Sequence, residues 1–222
     1  LFQVTVTCLC CEATYQTSRV RPSFKKGKFT DTDFCVYYRD DLPNPDYYVI
    51  RVCPYCGFAC SENFSPKMED RHRQKFYEQI SSKWENRDYG GERTWQDALD
   101  TYKLALLCAQ IKEEKERVIA GLLHHIAWLY RYKNMTEMEN RFLQFALNSY
   151  IKVYEVEGPD INNARLMYLI GELNRRLKNY NEAVKWFARV VNDKEIMDAA
   201  MIRRCREMWA LIREEMNEDK QL

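Results

Sequence analysis

From Leu99 onward, apolar residues recur at helical spacing. Leu99, Tyr102 and Leu106 share one face, as do Leu122, Ile126, Leu129 and Tyr130. Phe142, Phe145, Ala146, Ser149, Tyr150 and Val153 predict the next helix, and Leu166, Leu169, Ile170, Leu173 and Leu177 another. Ala183, Trp186, Phe187 and Val190 follow, then Met201, Cys205, Met208, Trp209 and Ile212. Breaks fall at Tyr89-Gly90-Gly91, Lys133-Asn134, Gly158-Pro159 and Lys178-Asn179. The pattern predicts five to seven antiparallel helices joined by short turns. The first 66 residues read differently. Phe2 to Thr7 alternates as a strand does, Tyr47 to Val52 is rich in aromatic and β-branched residues, and Asp41 to Pro45 reads as a turn.

Composition follows the same division. Seven of the nine cysteines lie in the first 60 residues, and five of the six prolines in the first 66. The expected architecture is mainly α, with a small β module over residues 1–66 and a helical domain over 67–222. Ser65-Pro66 marks the turn or helix start between them. A module of this size with so few aliphatics has a thin core and needs a staple.

The helical part contains a repeat. Asn163 to Asn192 resembles a tetratricopeptide repeat: Ile170-Gly171 takes the Leu-Gly pair of its first helix, Asn179 to Ala183 the turn and the small residue of its second, and Phe187 the aromatic position. Ala127, Tyr130, Leu143 and Ala146 form a weaker earlier copy, in which Glu139 replaces a small residue and the turn has room for an insertion. Ala98, Tyr102 and Ala105 resemble the second helix of a still earlier unit. The units are about 41 to 44 residues apart, against the usual 34. The expectation is an irregular tetratricopeptide-like array of helical hairpins capped by Met201 to Glu215; an ordinary helical bundle is the competing reading.

Chemistry concentrates in the cysteines. In Cys53-Pro54-Tyr55-Cys56-Gly57, two thiols two residues apart can bind one tetrahedral metal from a tight turn, and Gly57 supplies the positive φ that follows the second ligand. Cys8 and Cys11 repeat the spacing upstream. The pairs make a four-cysteine, zinc-ribbon-like site of Cys8, Cys11, Cys53 and Cys56, with structural Zn²⁺ as the expected cofactor. A disulfide, a redox CxxC pair and an iron–sulfur cluster are alternatives, and Cys10 can replace Cys8. Cys35 and Cys60 have no partner at knuckle spacing and read as buried thiols.

Val20-Arg21-Pro22-Ser23, Asp31-Thr32-Asp33-Phe34-Cys35, Asn44-Pro45 with Tyr47, and Cys53 to Ala59 together resemble an uncharacterised bacterial family, found widely in Firmicutes, that joins a paired-cysteine module to tetratricopeptide-like helices. The resemblance covers nearly the whole chain and implies bacterial origin, cytoplasmic location and zinc. It implies no reaction. The family's first knuckle usually reads CPxCG, from which Leu9 and Glu12 depart.

Charge narrows the function. With 34 Lys plus Arg against 33 Asp plus Glu, the chain is not built mainly to coat nucleic acid or an anionic membrane. No segment approaches the ~20 apolar residues of a membrane span, and no secretory segment is visible. Arg19, Arg21, Lys25, Lys26 and Lys28 cluster between the knuckles, but residues 1–66 carry seven positive and seven negative side chains, so the loop reads as solvated. Glu69-x-x-His72 has di-iron spacing, yet it occurs once and reads as surface. His124 and His125 cannot share one metal from a helix, so one is expected in the groove and the other packed. Phosphate loops, dinucleotide fingerprints and nucleophile elbows are absent.

The leading expectation is a non-enzymatic cytoplasmic interaction protein that binds a protein or peptide in its helical groove. A zinc ribbon that contacts nucleic acid is second, and a thiol or zinc enzyme third. The tetratricopeptide resemblance implies a groove lined by His124, Trp128, Arg131, Tyr132, Arg165, Tyr168, Arg175 and Arg176, which predicts an acidic partner segment. The competing reading pairs these arginines with Glu137, Glu139 and Glu172 of the array itself.

Overall fold

The structure is a computed structural model that describes residues 1–157 and 163–219. The N-terminal region is built from three antiparallel strand pairs. Phe2–Thr7 (β1) pairs with Thr14–Arg19 (β2), Phe29–Thr30 (β3) with Val36–Tyr37 (β4), and Arg51–Val52 (β5) with Ala59–Cys60 (β6). The expected strand over Tyr47 to Val52 shrinks to β5, because Pro45–Tyr48 forms a short 3₁₀ turn. Pro45 supplies the fixed φ of its start, and the Asn44 side chain accepts from the Asp46 amide at 2.9 Å.

Seven helices follow among the described residues: Asp70–Gln79 (α1), Trp95–Ile111 (α2), Glu116–Arg131 (α3), Thr136–Glu157 (α4), Ala164–Arg176 (α5), Tyr180–Asn192 (α6) and Ala199–Asp219 (α7). The start of α2 is a capping box: the Asp97 amide donates to Thr94 Oγ1 at 3.1 Å, and the Thr94 amide to Asp97 Oδ2 at 3.0 Å. After α2, α3 and α5 the chain turns through left-handed residues, Glu113 (φ 55°), Asn134 (φ 54°) and Lys178 (φ 61°). Each turn closes with the Schellman bond, such as Glu114 N to Ala109 O at 2.9 Å. The expected breaks at Lys133-Asn134 and Lys178-Asn179 are therefore real, while Gly158-Pro159 lies outside the described residues. Residues 132–135 join α3 to α4 with no insertion. The predicted apolar faces are largely buried. Phe145, the main exception, is exposed.

The chain separates into two compact units, Leu1–Glu139 and Asn140–Leu222, a different division from the change of composition near residue 66. The reason lies in the first unit. Phe58 packs edge-on against Phe64 and against Phe76 of α1, at centroid distances of 6.4 and 5.3 Å. The Ala59 amide donates to Cys108 Sγ of α2 at 3.4 Å. The short strand pairs have too little apolar surface to make a core alone, and α1 to α3 complete it. In the second unit, α5, α6 and α7 pack on one another. Gly171 of α5 faces the Phe187 ring, so close that an added Cβ would lie 2.6 Å from Cε1.

Candidate metal centre

The two knuckles are hairpin turns of the same build. Cys8 to Ala13 link β1 to β2 between the facing residues Thr7 and Thr14, and Cys53 to Phe58 link β5 to β6 between Val52 and Ala59. In the first, the Cys8 amide donates to Ala13 O at 3.0 Å and the Glu12 amide to Cys8 O at 3.1 Å. In the second, Cys53 N donates to Phe58 O and Gly57 N to Cys53 O, both at 2.9 Å. Gly57 has φ 77° and Glu12, its counterpart, φ 63°. The first knuckle thus keeps the left-handed residue although no glycine is there to ease it.

This backbone aims four sulfurs at one point. The Sγ atoms of Cys8, Cys11, Cys53 and Cys56 all lie within 4.8 Å of one another, and among the described residues no other His, Cys, Asp or Glu group converges in this way. Cys8–Cys56 and Cys11–Cys53 are each separated by 3.6 Å. A disulfide needs about 2.05 Å. Four sulfurs at ~2.3 Å from a central tetrahedral ion stand about 3.8 Å apart. The donor set therefore fits a metal ion and does not fit disulfides; all nine cysteines are free thiols. Sulfurs this close share protons. Hydrogen bonds from Cys56 and Cys8 hold the Cys53 thiol far below its ordinary range; contacts with Cys10 and Cys53 push Cys56 far above it, and contact with Cys53 does the same to Cys8. Held as four thiolates, sulfurs at these distances would need a cation among them.

Neighbouring side chains hold both turns. Arg73 of α1 donates to the Cys10 carbonyl, and the Cys10 amide donates to Cys8 Sγ at 3.4 Å. Cys10 stands beside the four, its thiol pulled down chiefly by Cys56, and Cys8 is the one that converges with Cys11, Cys53 and Cys56. Trp84 covers the second knuckle: its Nε1 donates to Pro54 O at 2.8 Å and its ring lies over Gly57. Cys8, Cys53 and Cys56 are buried and Cys11 is exposed. Cys35 and Cys60 are buried thiols, pushed up by burial to about 12 and about 11.

The residues assigned to a groove have other places. In the first unit, Asp33 is fully buried and binds three of them. His124 Nε2 lies 3.1 Å from Asp33 Oδ2, Trp128 Nε1 donates to that oxygen at 3.0 Å, and Arg131 grips both oxygens at 2.8 and 2.7 Å. Arg131 also pairs with Asp31 at 3.1 Å and Glu139 at 2.6 Å. Tyr132 donates to Asp46 Oδ2 at 2.6 Å. His124, Trp128 and Arg131 fasten α3 to the Asp31–Cys35 loop, and Tyr132 ties the end of α3 to Asp46. His125 packs elsewhere, stacked on Tyr102 at 5.6 Å.

In the second unit, Tyr168 is buried. Arg175 binds Glu172 through Nε at 2.8 Å and Nη2 at 2.7 Å and also pairs with Glu215, while Arg176 meets Glu172 at 2.8 Å. Arg165 is exposed. The internal pairing with Glu139 in the first unit and Glu172 in the second is thus the arrangement present for Arg131, Arg175 and Arg176. His72, expected at the surface, is buried 3.6 Å from Glu113, while Glu69 turns to Arg71. The basic loop is partly neutralised, Arg19 by Glu62 and Lys28 by Asp40. Sequence reasoning missed the Asp33 network, although Asp31-Thr32-Asp33-Phe34-Cys35 stood out as a motif; a buried carboxylate gives no periodic signal.

No described helix is long and apolar enough to cross a membrane. No curated protein and no solved structure matches the chain. The family described as an uncharacterized protein conserved in bacteria (DUF2225) matches residues 1–212, so both knuckles and most of the helical region fall within it. On that match the chain belongs to this bacterial family.

Proposed function

We propose that the four cysteines hold one structural Zn²⁺ and that the protein is a non-enzymatic, cytoplasmic, zinc-stapled interaction protein whose tetratricopeptide-like helices bind a protein or peptide. The observation that carries the metal assignment is the convergence of four sulfurs within 4.8 Å on two matching hairpin turns. Four thiolates complete a tetrahedron and leave no open position for water or substrate, which favours structure over catalysis. Four cysteines that converge in a metal-type cluster, with sulfurs too far apart for disulfides, suit a reducing compartment such as the cytoplasm. Arg131, Arg175 and Arg176 already pair with carboxylates of the chain, so an acidic partner segment would compete with these pairs.

Elemental analysis of protein purified without added metal tests the assignment. About one equivalent of zinc per chain is expected, lost together with four titratable thiols in a Cys8→Ser, Cys11→Ser, Cys53→Ser, Cys56→Ser variant. Protein that is folded yet carries less than about half an equivalent of any metal would overturn it; an equivalent of iron would replace zinc by an iron centre. Affinity capture from the native bacterium with mass identification addresses the partner.

A further inference from the structure

One cleft of the first unit lies between the loop around residues 37–48 and the end of α3. It holds about 470 Å³, a size typical of small-molecule sites. Tyr37, Tyr38, Tyr47, Tyr132, Arg93 and Lys133 contribute to its walls.

Arg93 sets this cleft apart. Its side chain is only 5% exposed. Nε donates to Tyr89 O at 2.9 Å, and Nη1 to Tyr47 O at 2.9 Å and Ile50 O at 2.7 Å. Nη2 has no acceptor among the described residues, and no carboxylate of those residues pairs with the guanidinium. The ring of Tyr48 lies 5.6 Å from it. The other buried cations are matched: Lys112 by Glu114, Arg131 by Asp33, Arg175 by Glu172. A buried guanidinium stays charged, and leaving one without a counter-charge is costly. Among the other cations on the walls, Arg39 is held by Asp41 and Arg131 by Asp33. Lys133 is exposed and forms no ion pair with the described residues. Of the two acids on the walls, Asp40 faces Lys28 at 3.1 Å and Glu92 is exposed at the rim.

We propose that this cleft binds a phosphate monoester carried on a planar ring, a ligand of the nucleoside-monophosphate class. Two cations without a counter-charge among the described residues, one fixed in the wall and one at the mouth, match a dianion. The fixed charge acts through a low-dielectric wall, where attraction is stronger than in water. Tyrosine faces give the ring a stacking surface. Burial raises the phenols of Tyr38 and Tyr47, which therefore stay protonated and can donate to the phosphate. The site is independent of the metal and of the partner surface proposed above.

The test is calorimetric titration of the full, metal-loaded chain with adenosine 5′-monophosphate, with adenosine and inorganic phosphate as the two halves. Saturable binding of the monophosphate with Kd below about 1 mM is expected, with each half at least tenfold weaker. Lys133→Glu, at an exposed position, should weaken it about tenfold or more with unchanged melting. Arg93→Met should abolish it; if that variant does not fold, Lys133→Glu and Tyr38→Ala decide. The absence of saturable binding, or binding indifferent to Lys133→Glu, overturns the proposal. Inorganic phosphate binding as tightly as the monophosphate overturns the ring-bearing ligand.

Discussion

Glu12 and Gly57 occupy the same point of two matching turns, yet only Gly57 suits its left-handed backbone. A residue with a Cβ pays about 1–2 kcal/mol there, partly offset when glycine is introduced by the greater freedom of the unfolded chain. The exposed Arg73–Glu12 pair at 3.3 Å returns little. Glu12→Gly is therefore expected to stabilise the first unit by about 0.5–1 kcal/mol in denaturant melts; a loss of stability would show that Glu12 is held by more than its turn. His124 makes a second prediction. Burial lowers its pKa below the ordinary value of 6.5, with Asp33 opposing and the charges of His125 and Arg131 assisting. The unfolded chain then binds the proton more readily than the folded one. Stability is full above about pH 6.5 and falls as pH drops through the folded pKa. Comparison with His124→Gln separates this from protonation of the cysteines, which both proteins share. Between pH 6.5 and 5 the wild type should lose more stability than the variant; parallel curves would remove His124 as the cause.

Helical elements repeat the same lesson in packing. Helices α5 and α6 meet where Gly171 lies under Phe187, and the ring fills the space a side chain would take. Ala183 and Val190 of α6 are wholly buried on the same face. Gly171→Ala raises helix propensity but forces a methyl into the ring, and overpacking of this kind costs about 1–3 kcal/mol. A lower melting transition for the second unit is expected, with Phe187→Leu restoring part of it. An unchanged or higher melting temperature for the single variant would mean the two helices separate freely. Helix ends were legible because Lys133-Asn134 and Lys178-Asn179 are local stop signals. The extent of the strand after Tyr47 was not: aromatic and β-branched residues suit a strand, but Pro45 and Asn44 set a turn first.

The whole chain divides after Glu139, and the four-cysteine cluster belongs to the first unit. These cysteines, the Phe58–Phe76 contact and the Asp33–Arg131 network all lie inside it. Metal binding is then folding energy for everything up to α3, not for the first 66 residues alone. Cys56→Ser should release the metal and remove hydrogen-exchange protection from α1, α2 and α3 as well as the knuckles, while amides of α5 to α7 keep theirs. Protection lost in both units would mean that they fold as one; protection kept in α2 and α3 would return the boundary to residue 66.

Cys53-Pro54-Tyr55-Cys56-Gly57, the second cysteine pair, the helix faces and the stops between them could all be read from the chain, because each depends on neighbours within a few residues. Spacing of two between thiols is a covalent fact, and a turn that satisfies it presents both sulfurs together. The choice of Cys8 over Cys10 needed the fold, since both follow the same strand and only the direction of the hairpin separates them. The fate of Arg131 needed it more. Periodicity places Arg131 on a helix face but cannot say that Asp33, 98 positions earlier, will be buried against it. Arg93 is the same case in reverse: the Tyr47 and Ile50 carbonyls of a distant segment join the nearby Tyr89 carbonyl around it, and no carboxylate of the described residues pairs with it. Local signals determine which elements form; the pairing of buried charges is settled by which segments pack together, and that is information held in no single stretch of the sequence.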